Sequence, residues 1–178
     1  MNNISMFLFI AGGLVLACNF SLKNSNFLDI RSILYQHIDI FKNSPLQFIS
    51  IFIIPALFAI AIVLIRCIDK EILNNLNIVL SILIAMFFSV LSILTAFEQK
   101  NKNKKYQQLL NETFTTTIFE IILCLSLLLI SFVALFISDF KNSLFLEIIS
   151  VIIYYLTIVT ILNILVIIKR LKVLFENK

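Results

Sequence analysis

Five long apolar runs, separated by short polar segments, dominate the pattern of the chain. A helix needs about 20 apolar residues to cross about 30 Å of hydrocarbon, and each run comes close to that length. The pattern therefore predicts an all-α, polytopic membrane bundle of about five transmembrane helices, with four as the alternative. We treat residues 1–178 as one transmembrane domain. The runs cover residues 4–20, 46–65, 78–97, 114–137 and 144–168.

A shorter pattern fills the segment between the first two runs, residues 21–44. Apolar side chains recur there at helical spacing, while Ile33 and Ile40 fall off that face. The spacing predicts a short helix that lies in the membrane interface. The face consists of Phe27, Ile30, Leu34, Ile38 and Phe41.

Composition supports a lipid environment. Hydrophobic residues make up 61% of the chain and charged residues 13%, whereas soluble domains average about 45–50% and about 25%. The chain has only two Gly and two Pro. Broken transporter helices depend on those residues, so their scarcity argues against that mechanism.

The basic residues predict the orientation. With five spans, one side of the membrane holds the segments 21–45, 98–112 and 169–178, with 3, 4 and 4 Lys or Arg; the other side holds 3 in all. Because basic loops stay inside, we expect a cell (inner) membrane protein with its N-terminus outside and its C-terminus in the cytoplasm.

The first run also bears on processing. The residues around Cys18, Val15-Leu16-Ala17-Cys18, loosely resemble a lipoprotein processing site. No Lys or Arg precedes the run, although a signal peptide normally has a basic start. Cleavage would also place the more basic side outside. We therefore interpret this run as a retained span.

Polar residues inside the fourth and fifth runs form two rows at helical spacing. A carboxylate in lipid is costly, so Glu120 should face the bundle interior, protonate or reach an interface, with Lys104 or Lys105 as its expected partner. Two interpretations stay open: an ion or proton path, and interhelical hydrogen bonding. The predicted seam comprises Thr117, Glu120, Cys124 and Ser131 on the fourth run, and Glu147, Ser150, Tyr154 and Thr157 on the fifth.

The residues that usually carry catalysis or bind metals are sparse. His37 is the single histidine, and Cys18, Cys67 and Cys124 are scattered. A general base needs positioned partners and a metal needs several ligands, so we expect no enzyme, no cofactor and no metal. In so short a chain, the surplus of small and polar helix faces favours self-association, whereas ordinary packing within the bundle also explains the small residues on the third run. They are Ser81, Ala85, Ser89, Ser92 and Ala96.

Lysines and arginine on the predicted cytoplasmic side are candidates for docking a cytoplasmic protein. Direct nucleic-acid binding is not expected, because in a membrane chain these charges set orientation. The candidates are Lys100, Lys102, Lys104, Lys105, Lys169, Arg170 and Lys172.

One resemblance goes beyond composition. The stretch Phe97-Glu98-Gln99 through Leu110-Asn111-Glu112 to Phe119-Glu120, in a small chain with closely spaced helices, resembles the membrane subunit of the Kiwa anti-phage system. The resemblance implies a non-enzymatic homotetramer that senses phage-induced membrane disturbance and signals to a cytoplasmic nucleic-acid-binding partner. Two alternatives fit the composition: a small oligomeric ion channel or holin-like pore, and a bacteriocin-immunity-type protein.

Overall fold

The computed structural model describes residues 12, 30–41, 45–97, 104–137 and 143–176. Apart from residues 66–69, the backbone in these ranges is helical, and they contain no strand. The predicted all-α fold is confirmed. The predicted first span, apart from Gly12, lies outside the described residues.

Five helices follow in chain order within the described ranges. The second has a π-helical turn in its first half. We label them α1 (Ile30–Phe41), α2 (Pro45–Phe48, the π segment Ile49–Ile53 and Ile54–Ile65), α3 (Lys70–Phe97), α4 (Lys104–Ile137) and α5 (Ser143–Glu176).

Four of these helices are long and apolar enough to cross a membrane. Their outer surfaces carry large apolar side chains; Leu64 and Ile65, for example, are 83% and 86% exposed. Such surfaces are favourable against lipid and not against water. The chain is therefore a multi-pass membrane protein. The spans are Leu46–Ile65, Lys70–Ala96, Lys104–Phe136 and Leu146–Glu176.

Three helices are longer than the apolar runs that predicted them. α3 begins at Lys70, α4 begins at Lys104, and α5 continues to Glu176. The flanking Lys, Gln, Leu and Glu residues are good helix formers, so the backbone hydrogen bonding continues beyond the apolar stretch. The predicted loop 98–112 is thus corrected, since residues 104–112 are helical. At 34 residues each, α4 and α5 are about 51 Å long.

The spanning helices pack in the order α3, α4, α5, α2, and α1 lies against α4. On α3, a buried residue recurs every seven positions: Leu73, Leu80, Phe87 and Leu94. Seven-residue spacing keeps one helix face against its neighbour, as in a coiled coil. This row packs with Leu127 and other buried residues of α4 in the main core.

The two ends of the bundle are closed differently. At one end, the Ser150 hydroxyl accepts a hydrogen bond from the Ile68 amide at 3.1 Å. Asp69 there caps α3, because its carboxylate accepts from the Ile72 amide at 2.9 Å. That bond, together with Arg66, lowers the pKa of the Asp69 carboxyl. At the other end, apolar side chains from α3, α4 and α5 form a small cluster of Leu94, Tyr106, Leu110 and Leu174.

The predicted face of α1 needs a correction. His37 and Phe41 are buried and Ile33 packs against α4, whereas Leu34 and Ile38 are 42% and 40% exposed. Phe27 lies outside the described residues. Apolar residues of α1 lie on more than one of its faces. Their spacing alone therefore did not show which face packs against α4. In the observed packing of α1 on α4, the His37 ring stacks on Phe119.

Candidate functional site

A buried carboxyl–amide pair joins α4 to α5. Glu120 and Asn163 are both fully buried. The Asn163 amide Nδ2 donates to Glu120 Oε1 at 2.5 Å. Glu120 is the central residue of the Lys104–Phe136 span. The partner of this carboxyl is therefore Asn163, and not the expected Lys104 or Lys105, which lie about 22–24 Å away along the helix.

The surroundings of this pair leave several polar atoms without partners. Thr160 lies beside both Glu120 and Cys124. Yet Glu120 Oε2, Thr160 Oγ1 and Asn163 Oδ1 are buried and, among the described residues, lie within hydrogen-bonding geometry of no partner. A buried polar group without a partner costs about 1–3 kcal/mol. We call Glu120, Cys124, Thr160 and Asn163 the Glu120 cluster; it is the most polar and least satisfied part of the described interior.

The α4 half of the predicted seam faces the inside of the chain. Thr117, Glu120, Cys124 and Ser131 are all buried. The Thr117 hydroxyl donates back to the Thr113 carbonyl at 2.8 Å, which satisfies it within its own helix. The spacing of this row thus predicted one common buried face, and the structure joins Glu120 of that face to Asn163 of α5.

The α5 half of the seam lies elsewhere. Ser150 is buried at the far end of the bundle, where it contacts the α2–α3 turn. Tyr154 and Thr157 are half-buried, and Glu147 is exposed at the start of α5. These four residues do not meet Glu120. The residues of α5 that do meet it are Thr160 and Asn163.

A signal for Asn163 was present in the sequence. An amide in the middle of an apolar run is also costly in lipid and should likewise hydrogen-bond to a neighbouring helix. In an antiparallel hairpin, partners lie equally far from the connection. Glu120 with Asn163, and Glu112 with Arg170, are both centred on residues 141–142. Equal distance from the α4–α5 connection would therefore have identified Asn163 as the partner of Glu120.

Two helical turns from the Glu120 cluster, a second polar contact joins α4 to α5. Arg170 Nη1 donates to Thr116 Oγ1 at 2.9 Å and to the Glu112 carbonyl at 3.3 Å. Arg170 Nη2 lies 3.6 Å from a Glu112 carboxylate oxygen, and Gln108 donates to the other at 2.9 Å. The Arg170 side chain is only 15% exposed. It therefore links α4 to α5 and is not on the open surface to which a cytoplasmic protein would dock.

The other docking candidates are more open. Lys104, Lys105, Lys169 and Lys172 are exposed. Lys172 lies 3.6 Å from Glu176 on the same helix. Lys100 and Lys102 lie outside the described residues. The exposed lysines share the end of the bundle that is closed by Tyr106 and Leu174.

His37 sits in an aromatic pocket between α1, α2 and α4. Its ring stacks on Phe119 at 3.9 Å and meets Phe41 and Phe52 edge-on at 5.2 and 6.4 Å. Within the described part of the chain, neither ring nitrogen has a hydrogen-bond partner. Burial, and secondarily the charge of Arg170, lowers the pKa of His37 to about 3. The docked ring is therefore neutral at physiological pH.

The low pKa of His37 predicts that α1 docks less tightly in acid. Below about pH 6.5 the undocked histidine binds a proton and the docked one does not, so docking weakens by about 1.4 kcal/mol per pH unit. The loss ends near the folded pKa of about 3. Hydrogen exchange of the α1 amides, corrected for intrinsic rates, should rise between neutral pH and about pH 5. A His37→Phe variant should lose this pH dependence; equal dependence in both proteins would contradict the prediction.

Comparison with known proteins adds no relative from which a function can be carried over. No family model, curated protein or solved structure matches the chain. Across the described ranges, no group of three or more His, Cys, Asp or Glu side chains is placed to hold a metal ion. The site chemistry therefore consists of one buried carboxyl with an amide donor, and a basic end with one inward-facing arginine.

Proposed function

We propose that the chain is a non-enzymatic membrane sensor or effector subunit that acts with a cytoplasmic protein in bacterial defence. The observation that carries this proposal is the sealed, under-satisfied Glu120 cluster between two long helices. Its unbonded oxygen atoms make the closed packing costly. A disturbance of the surrounding lipid that lets α4 and α5 separate slightly would hydrate these atoms, so the helix pair is suited to switching between two arrangements.

The basic end supports the second half of the proposal. Lys104, Lys105, Lys169 and Lys172 are exposed on the continuations of α4 and α5. A movement at the Glu120 cluster would thus reach residues that can contact an acidic protein surface. The charge bias favours a cytoplasmic location for this end. The resemblance to the Kiwa membrane subunit points to the same kind of partner.

Self-association is part of the proposal. α3 packs on α4 at the edge of the bundle. Its outward residues include Ser81, Ala85, Ser89, Ser92 and Ala96, all of which are exposed. Small residues let two helices approach closely in lipid. We favour a homo-oligomer through α3, and a tetramer on the resemblance alone.

A pore is the competing proposal, and burial weighs against it. A path along the predicted seam would need Glu120 to face water, but that side chain has no exposed surface. Ion flux through liposomes that contain the purified chain separates the two proposals. We expect no flux above that of empty liposomes; a flux that falls in Glu120→Gln would favour the pore.

The proposed function is tested by charge reversal at the basic end. Phage plating should be measured on cells that express the chain with its genomic neighbours. Lys104→Glu together with Lys105→Glu should weaken the recovery of a cytoplasmic partner more than about tenfold and abolish protection, because like charges oppose docking. Lys70→Glu, the same change at the opposite end, should leave both unaffected.

Two results would overturn this proposal. Cells without the chain that resist phage equally well would remove the defence role. Full protection by the doubly reversed variant, at normal membrane abundance, would remove the role of the basic end in docking.

A further inference from the structure

A groove of about 450 Å³ runs between the first half of α2 and the last turns of α5. Its lining from α4 is Leu109, a residue of the basic end. The other lining residues are Leu46, Gln47, Ser50 and Ile51 from α2, and Val166, Lys169, Arg170 and Val173 from α5. The groove therefore belongs to the end of the bundle where the exposed lysines lie, and it is separate from the Glu120 cluster.

The groove lining has a basic, polar part and an aliphatic part. Lys169 and Arg170 supply two positive charges, and Gln47 supplies an amide. The remaining walls are mainly aliphatic, including Ile51 and Val166. A ligand that fits this division carries a negative group joined to a hydrocarbon chain. Basic pockets between transmembrane helices bind the headgroups of anionic lipids by this arrangement.

Arg170 is already positioned for such a ligand. Its Nη1 donates to Thr116 Oγ1 and to the Glu112 carbonyl, which hold the guanidinium in place. Its Nη2 is 3.6 Å from the Glu112 carboxylate, too far for a good hydrogen bond. Nη2 therefore retains donor capacity. Within the described ranges, Lys169 makes no ion pair with a carboxylate.

The backbone of α2 changes form at the groove. Ile49–Ile53 is π-helical, and Ser50 and Ile51 of this segment line the groove. The Ser50 hydroxyl donates to the Leu46 carbonyl at 2.8 Å. Single π turns inside α-helices are rare and often occur at functional sites. This observation is independent of the charges and falls on the same groove.

We propose that this groove binds an anionic phospholipid. The headgroup phosphate lies against Lys169 and Arg170, and an acyl chain runs along Ile51 and Val166. Leu46 lines the groove and is 78% exposed, so the groove has an apolar residue on the outer surface of the helices. The site stands on its own lining and does not depend on the role in defence.

The test measures lipid retention on the full chain. The purified protein is incorporated into nanodiscs of phosphatidylcholine alone or mixed with phosphatidylglycerol, and lipids that remain bound are counted by native mass spectrometry. Phosphatidylglycerol should be retained in preference to phosphatidylcholine. Lys169→Gln should lower its apparent affinity about fivefold, the effect expected for one basic residue near anionic lipid. Lys172→Gln, on the same helix but outside the groove, should have a much smaller effect.

Val166→Phe fills the groove without changing its charge and should lower retention of both lipids at this site. Arg170 is avoided because its replacement also removes contacts within the bundle. Equal retention of the two lipids would overturn the proposal, as would equal losses in Lys169→Gln and Lys172→Gln. Competition by inorganic phosphate as strong as by phosphatidylglycerol would also overturn it, since the site would then bind a free anion.

Discussion

Replacing Asn163 with Leu is expected to lower the free energy of unfolding of the purified chain by about 1–3 kcal/mol. The Asn163 amide donates to one oxygen of the Glu120 carboxyl at 2.5 Å, and among the described residues the other oxygen makes no hydrogen bond. The variant would leave the whole carboxyl buried and unpaired. Thermal unfolding in detergent, followed by circular dichroism, measures the change.

The matched control removes both partners. A Glu120→Leu and Asn163→Leu double variant replaces the carboxyl and the amide by apolar side chains, and replacing a buried polar pair in this way is often neutral or stabilising. We therefore expect the double variant to be at least as stable as the original chain. If Asn163→Leu melts at the original temperature, or the double variant is no more stable than the single one, the pair is not the contact described above.

Replacing Arg170 with Met is expected to lower the free energy of unfolding by a similar amount, about 1–3 kcal/mol, because the contacts of Arg170 with α4 are lost. Breaking a fully buried ion pair costs more, but the Glu112 side chain is 29% exposed and can rehydrate in part. Thr116 Oγ1 and the Glu112 carbonyl also lose their shared donor. The melting temperature should fall, and exchange of the nearby α4 and α5 amides should accelerate.

Lys172→Met is the control for this change. Lys172 lies two residues further along α5 and also has a carboxylate partner, Glu176, at 3.6 Å. Its side chain is 74% exposed, and exposed pairs typically contribute about 0–1 kcal/mol. A small shift in Lys172→Met beside a large one in Arg170→Met is the expected contrast. Comparable shifts would show that Arg170 acts only as a surface charge.

The spans were predictable because placing a polar group in lipid has a large free-energy cost, and this cost applies to every residue of a spanning helix. Four of the five apolar runs coincide with helices that can cross a membrane. The helix ends were not predictable from the same signal, since residues 104–112 are mostly polar and yet helical. Hydropathy reports where lipid contact is favourable, whereas helix formation also continues through polar residues of good propensity.

The candidate site was predicted on one helix and missed on the other. Spacing along α4 is a local property, so the row through Glu120 emerged correctly as one face. The partner on α5 depends on the register between two helices, and the row through Tyr154 was more conspicuous than Asn163. Similarly, His37 in α1 had no polar partner to predict, because aromatic stacking on Phe119 holds it. Contacts between helices require the three-dimensional arrangement.

The length of α4 and α5 has a mechanical consequence. Each is about 51 Å long, which exceeds the hydrocarbon thickness of about 30 Å. Tyr106, Leu110 and Leu174 keep the two rods joined beyond the apolar region. A helix whose hydrophobic stretch is too long for its bilayer adjusts by tilting. A thinner or thicker membrane is therefore expected to change the tilt of this joined pair.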